Sequence, residues 1–326
     1  MSNFVSLMQS GKNHNIPPVH GAPTDRAWRA GSGGQALLVL RAPAIINLSL
    51  RVPARRVDGY HELVTRMQKL DLGDRIELLV SEEPGIVCRC DDPNLPSDGN
   101  NLAAKAAKRF LQAVGGQDSC GVQVNIAKRI PVAAGLGGGS SDAGTVLRGL
   151  NALWQTPFSQ EELIDLARPL GADVPFFAHR APAVIATGIG DKLQETAALK
   201  GFYVLLVNPG FAVSTKTVFE NYALTTTGKK STIRGSHVDE RGVFTPEKLH
   251  NDLEQVTIAW QPVIAEIKTA LLKAGAAGAL MTGSGPTVFG LFDEHHYSEE
   301  SLKSVAELIA AEYGGRVFLT RADAGA

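Results

Sequence analysis

The stretch from Pro131 to Gly144, PVAAGLGGGSSDAG, has the composition of a loop that binds phosphate. It contains five glycines and carries no bulky polar side chain before Ser140. Glycine tolerates positive φ and lets a ligand approach the backbone without a Cβ in the way. Ser140, Ser141 and Asp142 are good N-cap residues, and a helix N-terminus offers unpaired amides and the positive end of a dipole. The pattern therefore predicts a nucleotide phosphate site.

Two common phosphate-binding motifs are excluded by the spacing of this stretch. A Walker A loop requires a lysine, and none is present here. The Rossmann fingerprint also fails, because its third glycine would fall at Ser140 when counted from Gly135 and at Asp142 when counted from Gly137. A flexible loop followed by a capped helix is the alternative interpretation.

Two other stretches carry side chains that could contact a substrate. Asp173 is the one carboxylate in the otherwise apolar run LGADVP (170–175), where burial would be costly unless the group is paired or functional. An exposed aspartate in a turn after a helix is the alternative. Tyr60 and His61 place an aromatic ring and an imidazole beside an Asp-Gly turn. There the simpler interpretation is a hairpin tip with a packed tyrosine.

The elements that must position these residues alternate between strands and helices. ALLVL and AIINLSLRV predict two strands separated by Pro43, and a third strand follows a predicted turn at Gly73-Asp74. A helix is predicted over 101–114, and a strand over 122–126 leads into the glycine stretch. The remaining predictions are helices over 159–168 and 298–313, a helix from Ser214 or Thr215, a helix ending at Gly275, and strands within 183–191, 202–210 and 278–282 and in RVFLT.

This alternation predicts an α+β fold whose second half is ferredoxin-like. Residues 1–36 are rich in Gly, Pro, Ser and Asn, so we expect them to be disordered or an added extension. An organellar transit peptide is the alternative, because Asp25 is their single acidic residue. A short polar segment then marks the boundary between a first domain of residues 37–197 and a second domain of residues 198–326.

The composition excludes several classes of partner. A formal charge of −1 and a pI of about 6.7 give no reason to expect nucleic acid or an anionic membrane as a partner. No run of about 18 apolar residues predicts a membrane span. The three cysteines are odd in number and lack C-x-x-C spacing, which favours a reduced compartment. We therefore expect a cytoplasmic protein, either a monomer or a weak homodimer.

PVAAGLGGGSSDAG resembles the phosphate loop of the GHMP kinases, whose pattern is Pro-x-x-x-Gly-Leu-Gly-(Gly)-Ser-Ser/Gly-x-Ala. Its Gly-Gly-Gly-Ser-Ser form is similar to that of members that phosphorylate the 2-hydroxyl of 4-diphosphocytidyl-2-C-methyl-D-erythritol in the non-mevalonate route to isoprenoid precursors. DGYH (58–61), LGADVP and the second glycine cluster GSG (283–285) resemble further motifs of these kinases, and the resemblance spans roughly residues 41–292.

This resemblance implies the two-domain GHMP kinase fold. Its N-terminal domain would be ribosomal protein S5 domain 2-like, and its C-terminal domain would be ferredoxin-like. The implied activity is that of an ATP-dependent phosphotransferase, which acts with Mg²⁺ on the alcohol of a cytidine diphosphate methylerythritol.

The resemblance also implies roles for individual residues. Asp173 would be the general base, because a carboxylate within hydrogen-bond reach can take the proton of the acceptor hydroxyl as the γ-phosphoryl group arrives. ATP would be held by Pro131, Gly135, Leu136, Gly137, Gly138, Gly139, Ser140 and Ser141, with Asn101 and Lys128 lining the pocket. The substrate would contact Asn47, Tyr60, His61, Asp173, Thr215 and Phe219, and no protein ligand for a metal is implied. For Phe219, a core aromatic residue is the alternative.

The first family motif is usually Pro-Ala-Lys-Leu/Ile-Asn, and here it reads PAIIN (43–47), with Ile45 in place of the lysine. A lysine beside the catalytic aspartate could orient the acceptor and offset charge on the transferring phosphoryl group. Its loss is expected to lower the rate on the order of 10²–10³-fold. Three explanations stay open: an engineered substitution, a slow or inactive homologue, or another cation such as Lys216 or Arg51. A non-catalytic nucleotide-binding homologue, and a kinase for homoserine, mevalonate or a sugar, are the alternative functions.

Overall fold

A computed structural model describes residues 27–30, 36–55, 61–81, 83–116, 120–226 and 244–323. Tyr60 and the predicted Asp-Gly turn before it lie outside these ranges, as does most of the predicted N-terminal extension. The described residues form two β-sheets with helices packed against them. The α+β composition is therefore as predicted.

The larger sheet comes mostly from the first half of the chain. Its strands are β1 (Ala27–Ala30), β2 (Ala36–Arg55), β3 (His61–Ser81), β4 (Gly85–Cys90), β5 (Gly121–Ala127), β6 (Ala183–Gly188), β7 (Lys192–Glu195) and β9 (His250–Asn251). The main order is β1-β2-β3-β5-β4, while β6 pairs with β3, β7 with β6 and β9 with β2. The β4–β5 and β2–β9 pairs are parallel, and the other pairs are antiparallel.

Helices of the first half pack on this sheet and on one another. They are α1 (Leu102–Val114), α2 (Gly138–Leu153), α3 (Gln160–Ala167) and α4 (Val174–Ala178), with a 3₁₀ turn at Arg168–Leu170. The apolar face of α1 buries Phe110 against Leu147 and Leu150 of α2 and against the sheet. A capping box begins α3, because the Ser159 and Glu162 side chains each accept a hydrogen bond from the other's backbone amide.

The second sheet belongs to the second half of the chain. Its strands are β8 (Phe202–Asn208), β10 (Gly278–Met281), β11 (Val288–Asp293) and β12 (Arg316–Arg321), in the antiparallel order β10-β11-β8-β12. The helices of this half are α5 (Thr215–Thr226), α6 (Glu254–Trp260), α7 (Val263–Lys273) and α8 (Glu299–Tyr313), with a 3₁₀ turn at Pro246–Lys248. The chain order β8-α7-β10-β11-α8-β12 is that of a ferredoxin-like unit, as predicted.

The two sheets share a buried apolar cluster. Ala44, Ile46 and Leu48 of β2 pack with Leu206 of β8 and Phe289 of β11. The predicted boundary between residues 197 and 198 lies in the segment that joins β7 to β8. It stays a prediction, because β9 of the second half adds a strand to the larger sheet.

The prediction of two strands separated by Pro43 is wrong. Strand β2 continues through Pro43, and the register with β3 shifts between Pro43 and Ile45. Such a bulge accommodates proline and changes which side chains face each side of the sheet. Leu40 and Ala42 face the helices of the first half. After the shift, Ile45 lies in the cluster formed with α4.

The predicted turn at Gly73-Asp74 is also wrong, because β3 runs through it as one strand paired with β2. Gly73 lies opposite Pro43, and a Cβ on Gly73 would lie only 2.6 Å from the backbone oxygen of Ala42. Here glycine permits close approach of two strands rather than a change of direction.

Candidate active site

The glycine loop, residues 131–137, leads directly into α2. The helix begins at Gly138 and its N-cap is Gly137, so the prediction that Ser140, Ser141 or Asp142 caps it is wrong. Gly137 has φ of 71°, and a Cβ there would lie 2.8 Å from Cζ of Phe177. Because glycine alone meets both demands easily, the helix starts two residues before its first serine.

The first turn of α2 presents unpaired backbone donors. The amides of Gly138, Gly139 and Ser140 donate to no group in the described ranges, as expected for the first residues of a helix. A Cβ on Gly139 would meet no atom within 4 Å, and the hydroxyl of the half-buried Ser140 likewise has no partner among the described residues. These groups can bind an anion at the positive end of the α2 dipole.

Other predicted ATP-binding residues fasten the loop to β2. The Ser141 hydroxyl donates to the Pro43 carbonyl oxygen at 2.7 Å, and the Ile45 amide donates to the Leu136 carbonyl oxygen at 3.0 Å. Leu136, Ser141 and Pro131 are buried. Their contacts hold the backbone of the loop in place, so that the neighbouring amides stay exposed.

The second glycine cluster lies against the glycine loop, as the motif resemblance implies. The Thr282 hydroxyl lies 3.2 Å from the Asn47 side-chain oxygen and 3.2 Å from the Gly135 carbonyl oxygen. The backbone amide of Asn47 in turn donates to the Thr282 hydroxyl at 3.0 Å. A Cβ on Gly135 would lie 2.4 Å from the Thr282 carbonyl oxygen. Thr282 therefore joins segments that are far apart in the chain.

Lys128 lies in an ion cluster, the Lys128 cluster, with Asp74 and Asp142. Its ammonium bonds an oxygen of Asp74 and lies 2.8 Å from Asp142 Oδ2. Asp74 also accepts from the amides of Arg129 and Ile130, at 2.6 and 2.8 Å. The cluster thus fixes the entry to the glycine loop and the first turn of α2.

Burial and the neighbouring charges together set the pKa values in the Lys128 cluster. Burial alone would lower the pKa of Lys128, but Asp142 and Asp74 outweigh it and the pKa is raised. Burial raises the pKa of Asp142 to about 7, with Lys128 opposing the shift and Asp74 adding to it. The Asp142 Oδ1 atom is buried without a hydrogen-bond partner among the described residues. Both side chains have structural contacts at the predicted pocket, and the role of Lys128 toward ATP stays a prediction.

Asn101 is the N-cap of α1. Its side-chain oxygen accepts from the Ala103 amide at 2.9 Å, and its side-chain nitrogen donates to the Pro96 carbonyl oxygen at 2.8 Å. This predicted ATP-binding side chain is therefore committed to the turn before α1, and its contact with ATP is a prediction that still has to be tested.

Asp173 is the residue that precedes α4. Its side chain does not cap that helix, and it makes no hydrogen bond or ion pair within the described ranges. Burial raises the pKa of this carboxyl group, which makes the ionised form a stronger base. Four residues later, Phe177 packs beneath Gly137 and Gly144. Helix α4 thus links an unpartnered carboxyl group to the glycine loop.

Ile45 is buried beneath the same loop. It packs with Met67, Phe176 and Phe177, and 2% of its surface is exposed. The two other cations considered from sequence interact with acidic residues: the Lys216 side chain is 85% exposed and is 3.9 Å from Glu220. Arg51 interacts electrostatically with Asp252.

Two predicted substrate-binding residues are brought together around an aromatic pair. The rings of His61 and Phe219 have centroids 5.2 Å apart with planes tilted by 30°. Tyr222, which the sequence did not suggest, lies at the edge of His61 at 6.5 Å and bonds the Val52 carbonyl oxygen at 3.4 Å. Its placement three residues after Phe219 on α5 was the available signal.

Thr215, at the start of α5, lies near the second glycine cluster. Its hydroxyl is 2.9 Å from that of Ser284. The Ser284 carbonyl oxygen accepts from the Thr257 hydroxyl at 3.2 Å. The sequence suggested neither Ser284 nor Thr282 as an individual residue, because both lie in a stretch that alone predicts only a hairpin turn.

Comparison with known proteins identifies the class of protein. The GHMP kinases N terminal domain matches residues 101–181, and the GHMP kinases C terminal domain matches residues 245–310. A crystal structure of 4-(cytidine 5'-diphospho)-2C-methyl-D-erythritol kinase is 33% identical with a TM-score of 0.68, covering 88% of this chain and 99% of that one. Homoserine kinase from Cytophaga hutchinsonii shares the fold with a TM-score of 0.66 at 18% identity, over 92% and 98% of the two chains.

Relatives narrow this assignment. The 4-diphosphocytidyl-2-C-methyl-D-erythritol kinase of Desulfotalea psychrophila is 47% identical over 87% of this chain and 95% of its own length. That of Syntrophotalea carbinolica is 47% identical over 85% and 96%. The chain therefore belongs to the GHMP kinases and, within them, to the family of the 4-diphosphocytidyl-2-C-methyl-D-erythritol kinases. The predicted fold class and the predicted class of enzyme, a phosphotransferase with an alcohol acceptor and ATP as donor, are confirmed.

Two searches of the described residues gave no candidate. None of their helices is long and apolar enough to cross a membrane. Nor do the described ranges hold a group of three or more His, Cys, Asp or Glu side chains that could bind a metal ion.

Proposed function

We propose that this protein transfers the γ-phosphoryl group of ATP to the 2-hydroxyl of 4-diphosphocytidyl-2-C-methyl-D-erythritol in the synthesis of isoprenoid precursors. One observation carries the proposal. Within the described ranges, the amides at the start of α2 and the carboxyl group of Asp173, just before α4, have no partner, and the two helices are in direct contact through Gly137, Gly144 and Phe177. A donor site and a base are thus held by one packed unit.

In this proposal the chain supplies positioning and electrostatics, as in phosphoryl transfer generally. The amides of Gly138, Gly139 and Ser140 bind the phosphate tail of ATP, and the Ser140 hydroxyl adds a further donor. Asp173 accepts the proton of the acceptor hydroxyl while the oxygen of that hydroxyl forms a bond to the γ-phosphorus. The bond between the γ-phosphorus and the β,γ-bridging oxygen breaks, and ADP leaves.

The cytidine end of the acceptor is assigned to the aromatic pair. A flat base can stack on an aromatic ring, and the rings of His61 and Phe219, whose centroids are 5.2 Å apart, are the proposed stacking surface. Tyr60 and Asn47 stay proposed contacts, and the hydroxyls of Thr215 and Ser284 are available for the diphosphate or polyol. This assignment separates the family's acceptor from a smaller alcohol, which could not use the pair.

Three finer assignments complete the proposal. Mg²⁺ prefers a site made largely of substrate phosphates with few protein ligands. This preference fits a cleft where the unpartnered Ser140 hydroxyl adjoins the phosphate site, and the ion would neutralise phosphate charge. Cys88, Cys90 and Cys120 are thiols and not disulfides, which supports a reducing cytoplasm. We retain a monomer or weak homodimer as the expected oligomeric state.

The decisive experiment is a kinase assay on the protein and its Asp173→Asn variant. We expect kcat to fall by about 10²–10⁴-fold, because asparagine cannot accept the proton, while the Kd for ATP stays within about twofold of the original. Asp165→Asn is the matched control, because the Asp165 side chain is 73% exposed. Normal turnover by Asp173→Asn would remove the proposed base. Homoserine, mevalonate or a sugar serving better than the cytidine substrate would overturn the proposed acceptor.

The position of ATP can be tested separately with Gly139→Ala. A Cβ at Gly139 meets no protein atom within 4 Å, and the residue lies in a helix, where alanine is favoured over glycine by about 1 kcal/mol. We expect stability to be kept or raised while the Kd for ATP rises about tenfold or more, because the methyl group enters the proposed phosphate site. Calorimetric titration measures this Kd, and an unchanged value would place the phosphates elsewhere.

A further inference from the structure

Lys69 is a buried lysine that has no role in the site described above. It lies on β3 directly opposite Ile45 of β2, and 3% of its surface is exposed. Its ammonium donates to the His179 carbonyl oxygen at 2.6 Å and lies 4.7 Å from the centre of the Phe176 ring. No carboxylate in the described part of the chain is within ion-pair distance of it.

Packing does not account for this lysine. An ammonium group without a carboxylate within ion-pair distance is disfavoured in a protein interior. Burial accordingly lowers the pKa of Lys69, with the positive charge of Arg148 acting in the same direction and the negative charge of Asp323 opposing both. A methionine of similar length would fill the space next to Met67 and Phe176 without this cost. The presence of a charged donor at this buried position therefore indicates that its contacts with neighbouring groups have a role.

The two contacts of the Lys69 ammonium described above are with α4 and its C-cap. Phe176 lies within α4, and His179 is the C-cap residue whose carbonyl oxygen accepts the bond. A cation at the C-terminal end of a helix interacts favourably with the helix dipole. At the other end of this five-residue helix is Asp173. Phe177, on the same helix, lies directly beneath Gly137 of the glycine loop.

We propose that Lys69 is a positioning residue, which anchors α4 so that Asp173 faces the acceptor. The inference rests on the proposed role of Asp173. A helix of five residues has few hydrogen bonds of its own, so its orientation depends on contacts at its ends. Lys69 provides a charged contact at the end remote from the cleft, and a small rotation there would displace the carboxyl group of Asp173.

The test uses Lys69→Met and Lys69→Arg in the full chain, with ATP and 4-diphosphocytidyl-2-C-methyl-D-erythritol as substrates. For Lys69→Met we expect kcat to fall by about 10–100-fold, because a misplacement of about 1 Å can cost 10²-fold. The KM for each substrate should stay within about twofold, since the amides of α2 and the aromatic pair remain in place. The urea midpoint should be unchanged or higher, because a buried charge has been replaced by an apolar side chain.

Lys69→Arg keeps a charged donor and should retain more turnover than Lys69→Met. Lys273→Met, at an exposed position on α7, is the control for the loss of a lysine. Two results would overturn the inference: a kcat of Lys69→Met within twofold of the original, or a lower urea midpoint with KM and kcat changed together and no advantage for arginine. Absence of turnover in the unaltered protein would instead overturn the proposed function, so the two failures can be distinguished.

Discussion

Two buried lysines lie near the glycine loop, and the groups that contact their ammonium groups differ in charge. Lys128 lies between the carboxylates of Asp74 and Asp142. Lys69 meets a backbone carbonyl oxygen and an aromatic ring, with no carboxylate beside it in the ranges described. The pKa of Lys128 is raised because its two carboxylates outweigh burial. The pKa of Lys69 is lowered because burial and the positive charge of Arg148 outweigh the opposing charge of Asp323.

This difference separates two ways of fixing a catalytic loop. In the Lys128 cluster, the cation makes it possible to bury two carboxylates, of which Asp74 accepts hydrogen bonds from the backbone amides of Arg129 and Ile130. Removing this cation leaves both carboxylates without an ion-pair partner among the described residues. At Lys69, removal of the cation leaves only a carbonyl oxygen without its donor. The first lysine should therefore matter mainly for stability, and the second mainly for the placement of Asp173.

The largest expected effect is the loss of free energy of unfolding in Lys128→Met, which we compare with the loss in Lys69→Met. Breaking a buried ion cluster by removing one partner typically costs about 3–5 kcal/mol, so Lys128→Met should lose about that much free energy of unfolding. Lys69→Met should lose little or none. Urea unfolding, followed by circular dichroism at one pH, measures both. Equal losses in the two variants would show that the surrounding charges do not distinguish these lysines.

A smaller effect is expected when a second ammonium is placed beside Lys69. Ile45→Lys puts it directly across the strand pair, in a cluster with Met67 and Phe176. We expect a loss of about 2 kcal/mol, the lower part of the range for an uncompensated buried polar group, and a smaller loss when Lys69→Met is also present. Ile45→Met is the uncharged control.

The same variant tests the effect of the missing family lysine. If the added charge reaches the transferring phosphoryl group, turnover should rise by about tenfold or more despite the loss of stability. A kinase assay at saturating ATP measures this. An unchanged rate would count against the missing charge as a limit on turnover. No turnover in either protein would favour a nucleotide-binding homologue that does not catalyse transfer.

The sequence predicted a structural feature correctly where that feature depends on residues close together in the chain. The capping box at Ser159 depends on residues three apart. The end of α1 depends on the left-handed conformation that Gly115 adopts. The glycine loop could be recognised because its glycines and serines are contiguous, and the ferredoxin-like half because its strands and helices alternate cleanly.

Local sequence was insufficient where a distant residue decides the structure. Pro43 and Gly73 both indicate an interruption by themselves, but they lie opposite each other in a strand pair, where a bulge accommodates the one and close approach needs the other. Lys128 finds Asp74 across 54 positions in the chain. Lys69 gave no signal, because its meaning depends on a helix that ends more than 100 residues later.

The smallest effect is expected in the pH dependence of stability. Burial raises the pKa of Asp142 in the folded state to about 7, against about 3.9 for an unperturbed aspartate. The folded state therefore binds more protons than the unfolded state between about pH 4 and pH 7, and the contribution of Asp142 to stability falls as the pH rises through this window. Sharing of the Lys128 charge with Asp74 reduces the change, which we expect to be about 1–2 kcal/mol.

Asp142→Asn, which resembles the protonated side chain, should lack this component. Its free energy of unfolding should match that of the unaltered protein near pH 4 and exceed it near pH 8, as measured by urea unfolding across the range. Lys69→Met should leave the component in place, because Lys69 takes no part in the Lys128 cluster. If Lys69→Met removed it as well, the two lysines would belong to one coupled network, and the contrast between them would fail.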